Sequence, residues 1–369
     1  MKFSLFFEMQ ISEPTPSREA ATFHQCLEQA ILADQLGFNG VWAVEHHGLR
    51  EYAHCSAPEV FLSFVAARTE RLRLGHGVTL LPHRYNHPIR VAERIATLDV
   101  LSNGRVNWGS GKSSSLTEQL AFENDLDALH HQWREALEMI PQMWSSEVFR
   151  YKGRFFDVPP IQVVPKPVQK PHPPMFAACS KPDSVAYVGE LGLGALNFAI
   201  GTEEFLAEIV AEYRGAIAKA APEHWAVTDS FACTPVALVL EDDRKACRYG
   251  FRGARFFADS MAAYYFSNDR PTGALEIERG FLPPADLEDA MAARNRPGSS
   301  MAAIVGDPVC AREAVQRFAD AGVHELMLVM QVGTVPHELV LESMRTFAEC
   351  VMPDYIDSGA EPVRSTAEA

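Results

Sequence analysis

The sequence predicts an α/β protein, a (β/α)8 barrel of the TIM type carrying insertions. Two observations predict it. Short apolar runs alternate with helical patterns eight times along the chain, which argues for a parallel sheet with right-handed crossovers and for closure into a barrel. The 369 residues, 47% apolar and 22% charged, are enough for one large core with surplus for insertions. The expected organisation is a single barrel domain over 1–355 and a disordered tail over 356–369.

KFSLFF (2–7) is the first strand, and Ser17 is the N-cap expected for the helix that ends at Leu36-Gly37. VWAV (41–44) precedes a helical stretch from Pro58 to Arg68. LRLGHGVTLL (72–81) precedes a helix from Pro88 to Leu101, which Ser102-Asn103-Gly104 stops. RVNWG (105–109) leads to a long helix from about Asp127 to Trp144, and PMFAAC (174–179) to one that ends at Leu191-Gly192. GALNFA (194–199), TPVALVLE (234–241) and HELMLVM (324–330) complete the eight strands, each with a helical pattern behind it. Three segments exceed a minimal barrel: the loop 110–126, a Pro-rich hairpin-like stretch 145–173, and an excursion over about 251–300. The last is rich in aromatics (ARFFADSMAAYYF) and reads as a substrate lid or as a passive insertion.

The formal charge of −15, with no Lys/Arg run, weighs against nucleic acid or an anionic membrane as partner. Glu8 arrives too early for a secretory core, and no apolar run approaches the roughly 20 residues of a span, so a cytoplasmic protein is expected. Seven cysteines without a CxxC pair suit reduced, buried thiols.

Residues just past a barrel strand's C-terminal end sit at the mouth, where chemistry is done. Glu45-His46-His47 occupies that place after strand two. Alternation along an extended segment sends Glu45 and His47 one way and His46 the other, which disfavours a metal site. The histidine then acts at the mouth or merely holds the loop. GSGKSSS (109–115) fails the phosphate-loop spacing; it is either a small-residue loop whose amides and Lys112 approach an anion, or a solvated loop. Ser180, Lys181 and Ser184 surround Pro182 at a helix start, an anion site or a plain cap. GDP (306–308) repeats that shape more weakly.

EHH, LRLGHGVTLLPHRYNHPIRVAERIATLDVLSNGRVNWGSG (72–111), PPMFAACSKPDSVAYVGELG (173–192) and VGDP with AGVHELMLVM together resemble the luciferase-like flavin monooxygenases. The resemblance covers most of 1–200 and 300–350 and leaves 251–300 unmatched. It implies a barrel that binds FMN at its C-terminal face and takes reduced FMN from a separate NAD(P)H:flavin reductase. The flavin then reacts with dioxygen to give a C4a-hydroperoxide. The first histidine of EHH, His46, matches the catalytically important one of luciferase, and Glu45 or a backbone carbonyl would fix its tautomer. Lys112 stands where luciferase has a phosphate-contacting arginine. Gly111 replaces a reactive cysteine, so no thiol chemistry carries over. The strand-five loop, with Cys179, Ser180, Lys181 and Ser184, would hold the phosphate. A cis peptide is implied at Gly77-Val78, under the flavin ring. Trp108 and the aromatics of 255–266 would form apolar walls.

With an unperturbed pKa near ~6.5, His46 would serve as a base, or would orient and protonate the flavin adduct. His47, His76 and His83 are weaker candidates. The expected function is a two-component, FMN-dependent monooxygenase of a small hydrophobic or aromatic substrate, acting as a homodimer through helices near strands two and three. The alternatives are a deazaflavin-dependent oxidoreductase, which would consume no dioxygen, and a non-catalytic flavin-binding partner subunit, which solo activity would exclude.

Overall fold

From the N-terminus, β1 (Lys2–Phe7) leads into α1 (Pro16–Leu36). The cap is Thr15 rather than Ser17: its hydroxyl accepts from the Arg18 amide, and Pro16 takes the first helical position, where no amide partner is needed. Gly37, at φ 84°, ends the helix in the left-handed conformation that a side chain would resist. Next come β2 (Gly40–Ala43), α2 (Pro58–Ala66), β3 (Arg73–Leu80), α3 (Pro88–Leu101) and β4 (Val106–Gly111), close to their expected bounds. The stretch 110–126, read as loop, contains a short helix, α4 (Leu116–Ala121), before α5 (Leu129–Ser145). The Pro-rich segment forms the antiparallel hairpin of β5 (Phe149–Lys152) and β6 (Asp157–Ile161). Then follow β7 (Met175–Ala178), α6 (Pro182–Glu190), β8 (Gly194–Phe198) and α7 (Glu203–Ile217).

The seventh strand differs from expectation. The barrel uses β9 (Phe231–Thr234), while the middle of TPVALVLE forms β10 (Val236–Val239), outside the barrel. Pro235 lies between them and has no N–H for a ladder, so one extended run is divided between two sheets. The chain continues through α8 (Asp243–Tyr265), α9 (Pro284–Ala293), β11 (Ala303–Gly306), α10 (Pro308–Asp320), β12 (Glu325–Leu328) and α11 (His337–Cys350). β10 pairs in parallel with β11, and the pair is buried among α8, α10 and α11, which is why the outer strand is as apolar as an inner one. The excursion expected from about 251 therefore begins inside a 23-residue helix.

The computed structural model describes residues 1–356, so the expected tail lies outside the described residues from 357 onward. Eight parallel strands close in the order β1, β12, β9, β8, β7, β4, β3, β2. Inside, the Trp42 indole meets Phe176 edge-on at 5.1 Å and donates to Glu325, which also accepts from Ser4. A Cβ at Gly75 would stand 2.2 Å from the Trp42 ring, so glycine there admits the indole. This plug closes the barrel below and leaves the strands' C-terminal ends as the open face. Among the described residues no helix is long and apolar enough to cross a membrane.

Candidate active site

The loop after β2 splits as alternation requires. Glu45 turns back along the barrel wall: its carboxylate accepts from the Leu80 amide (2.8 Å) and from Asn86 Nδ2 (2.8 Å), and its other close neighbour is His47 Nε2 at 3.4 Å. It ties the end of β3 to β2. The His47 ring packs against Phe122 at 4.7 Å and stacks on Tyr85 at 6.1 Å. The two histidines thus serve different surroundings and do not converge.

His46 faces a separate, buried polar cluster. Its Nδ1 is 2.9 Å from Glu118 of α4, and its Nε2 is 2.9 Å from the Tyr265 hydroxyl at the end of α8. Glu8, which follows β1, places Oε2 3.8 Å from the same Nε2, and the Tyr52 hydroxyl donates to Glu8 Oε1 at 2.7 Å. The partner expected in Glu45 to fix the His46 tautomer is therefore Glu118, because Glu45 is spent on Leu80 and Asn86. Glu118 also accepts from the His47 amide (2.8 Å) and from Ser113 Oγ (2.7 Å). Its signal was present in the sequence: SLTE (115–118) has the spacing of a capping box. No side-chain cap bond forms at Ser115, and the Glu118 carboxylate goes to His46 instead.

Burial opposes a charged imidazole at His46, but Glu118, by charge and hydrogen bond, and then Glu8 and Glu45 outweigh it and raise its pKa to about 9. Burial likewise raises Glu118, yet the nearby His46 and the donors around it hold its pKa below the usual carboxylate range. Burial lifts the Tyr265 hydroxyl far above its ordinary range, so it stays protonated. At neutral pH the pair is an imidazolium on a carboxylate. This favours His46 as an acid and orienting group over the base also expected of it.

The residues expected around a cofactor divide into two sets. Gly77-Val78 is a cis peptide, the geometry that the resemblance implies, and both residues are part-exposed at the end of β3. A Cβ at Gly111 would come within 2.6 Å of Val78 Cγ2, so β4 closes on that peptide without a side chain. β4 and β7 pair as far as Ser110 and Ala177, so the exposed Lys112 and the exposed Ser180 and Lys181 at the start of α6 follow neighbouring strand ends. Ser184 Oγ accepts from the Lys181 amide (3.0 Å) and donates to its carbonyl (2.7 Å), so that hydroxyl caps the helix.

Two expected residues face elsewhere. Trp108 donates to Thr79 and packs edge-on against Trp144 of α5 at 5.3 Å; it belongs to the layer between barrel and helices and is no wall of the mouth. Cys179 is buried with its thiol toward the Leu196 carbonyl, and burial pushes its pKa up to about 12, so its backbone alone could serve a ligand. His76 lines a void of about 10 Å³ with Glu45, Pro58 and Arg94, and burial depresses its pKa to about 3. His83 sits against Phe156, next to the hairpin.

Of the aromatics of 255–266, Phe257 and Tyr265 join an apolar arc, while Phe256 lies under Arg279, Tyr264 donates to Glu51 and Phe266 is exposed. Phe6 and Phe198 lie 6.5 Å apart, Phe198 and Phe257 6.4 Å, Phe257 and Tyr52 5.6 Å, and Tyr52 and Tyr265 5.5 Å. The arc therefore runs from the barrel interior to His46.

The family model for luciferase-like monooxygenases matches residues 1–325. The chain belongs to that family. Among its relatives, the oxygenase component of the flavin-dependent trigonelline monooxygenase of Acinetobacter baylyi is 29% identical over 197 residues, covering 52% of each chain. The F420-dependent hydroxymycolic acid dehydrogenase of Mycobacterium tuberculosis is 32% identical over 202 residues, 50% of this chain and 55% of that one. The chain thus spans about half the length of these two curated relatives. The crystal structure of the monooxygenase RslO1 from Streptomyces bottropensis superposes with a TM-score of 0.80 at 26% identity, covering 96% of this chain and all of that one (100%). The luciferase-like barrel thus appears among these relatives with flavin and with F420.

Proposed function

We propose that this luciferase-like protein is the oxygenase component of a two-component system that uses reduced FMN and dioxygen to oxygenate a small hydrophobic or aromatic substrate. The observation that carries the reading is the part-buried His46–Glu118 pair, with Tyr265 on its other nitrogen, at the mouth of the barrel. β2 and β3 pair at Ala43 and His76, so His46 and the part-exposed Gly77-Val78 peptide emerge from neighbouring strand ends.

The residues present fit a flavin mononucleotide. Lys112, Ser180 and Lys181 gather two cations and the free amides of a helix start at one rim of a protein whose formal charge is −15. The flat Gly111/Val78 surface leaves room for a planar ring to approach, and the aromatic arc offers an apolar bed for a substrate. When bound, reduced flavin would supply the electrons that activate dioxygen. The protein's part is to exclude water with Phe6, Phe198, Phe257 and Tyr52, and to deliver a proton from His46 through the Tyr265 hydroxyl on its Nε2 while Glu118 fixes the ring's orientation.

The F420-dependent relative supports a second reading, a deazaflavin oxidoreductase on the same barrel. Fluorescence titrations with FMN and with the deazaflavin, followed by oxygen uptake with reduced FMN, separate the two. FMN-dependent uptake supports the monooxygenase; deazaflavin binding without uptake rejects it. Supply by a separate reductase accords with the name of the Acinetobacter relative, an oxygenase component. A homodimer accords with the apolar residues left exposed on neighbouring α2 and α3, Val60, Phe64 and Leu101. Seven free cysteines accord with a reducing, cytoplasmic setting.

A further inference from the structure

We propose that Glu8 is the proton store behind His46, and that Tyr52 and Tyr265 are the hydroxyls through which the proton travels. The inference deepens the proposed function and rests on His46 handling a proton in it. Two carboxylates compete for one imidazolium, and they are unequally equipped. Glu118 accepts from three donors: His46 Nδ1, the His47 amide and Ser113 Oγ. Glu8 accepts from one, the Tyr52 hydroxyl at Oε1, while its Oε2 is buried with no hydrogen-bond partner, 3.8 Å from His46 Nε2.

An ionised carboxylate with a bare, buried oxygen is costly. The cluster is therefore cheapest with Glu118 ionised, His46 charged and Glu8 carrying a proton. The groups facing Glu8 are His46, Tyr52 and Glu118, with Tyr265 and Cys55 beyond them. Their balance is that burial raises Glu8, His46 and Tyr52 lower it and Glu118 raises it, to a pKa of about 7.

The groups stand in a row: the Tyr52 hydroxyl bonds Glu8, the Tyr52 and Tyr265 rings pack at 5.5 Å with each hydroxyl acting on the other, and the Tyr265 hydroxyl is 2.9 Å from His46 Nε2. One proton moves and no electrons do. Once His46 has given up its Nε2 proton, Tyr265 passes its own proton to Nε2 and takes that of Tyr52, and the Glu8 O–H bond breaks as the Tyr52 oxygen takes the carboxyl proton. A carboxylate remains at Glu8. Glu8 and Tyr52 act through His46 and are positioning residues. Because Tyr265 ends α8, displacement of that helix end would cut the store off from His46.

The test follows the His46 ring nitrogens by NMR in the full-length chain, without flavin, from pH 5 to 10. The wild type is expected to show, besides its own titration, an inflection near neutral pH that reports Glu8. E8Q should abolish the inflection and lower the His46 midpoint by about one unit, and E8D should restore the inflection. Y52F removes the one donor that lowers Glu8 and should move the inflection to higher pH, which keeps the test decisive if E8Q fails to fold. A His46 titration that is the same in the wild type and in whichever of E8Q and Y52F folds would overturn the proposal. No flavin enters this measurement, so failure of FMN to bind or of oxygen to be consumed would count against the proposed function alone.

Discussion

Replacing Glu118 by glutamine keeps an acceptor for the His47 amide and Ser113 but removes the charge that holds His46 protonated. In the wild type, burial works against the imidazolium and Glu118 is the first of the groups that overcome it, lifting the pKa to about 9 against an ordinary ~6.5. Without that charge, burial remains and the nearest carboxyl, Glu8 at 3.8 Å, is itself biased by burial toward its neutral form. The His46 pKa is then expected to fall by at least ~2 units, on the order of 3 kcal/mol at 1.36 kcal/mol per unit. The linkage has a definite sign. A pKa raised on folding contributes stability that is complete below ~6.5 and vanishes as pH rises through about 9. The stability gap between wild type and E118Q should therefore be widest near pH 6 and narrow steadily toward pH 9.5. Urea melts across that range, with the His46 titration followed by NMR, measure both quantities. A gap that stays constant with pH, or a variant His46 that still titrates near 9, would refute the assignment of Glu118 as the partner that charges His46.

Three further outcomes are expected. Gly111→Ala puts a methyl 2.6 Å from Val78 Cγ2 and should weaken flavin binding more than it lowers Tm, at a cost of roughly 1–3 kcal/mol, measured by titration and thermal melt. Lys112→Ala should weaken FMN roughly fivefold, about 1 kcal/mol, and leave riboflavin unchanged, since only the phosphate loses its cation; equal losses for both ligands would show that Lys112 does not face the phosphate. Phe64→Glu, on the exposed face of α2, should yield monomers by light scattering without loss of helicity.

Much of the barrel was legible in the sequence because strand and helix patterns alternate cleanly and Gly/Pro signals mark their ends. The failures have local causes. The apolar run 234–241 reads as one strand because an outer strand covered by α8 is as buried as an inner one, and only Pro235 betrays the division. His46 was found because EHH sits past a strand end, and the alternation rule correctly separated it from Glu45 and His47. Glu118 and Glu8 were missed as site residues. The first lies on a helix too short for periodicity to show, and the second read only as an acidic residue that ends an apolar run. Trp108 was misplaced because an indole next to the barrel mouth in sequence faces outward by strand parity, toward Trp144. Tyr265 meets His46 from 219 positions away, a contact that no sequence spacing reports.

The central claim is that this luciferase-like barrel binds reduced FMN beside His46 and uses it with dioxygen. The most direct measurement mixes the protein and anaerobic reduced FMN with oxygenated buffer in a stopped-flow instrument and follows flavin absorbance against free FMN. The account predicts that oxidised FMN appears later than in free solution and that the delay shortens in His46→Ala. Reoxidation at the free-flavin rate, together with tight binding of the deazaflavin, would contradict it.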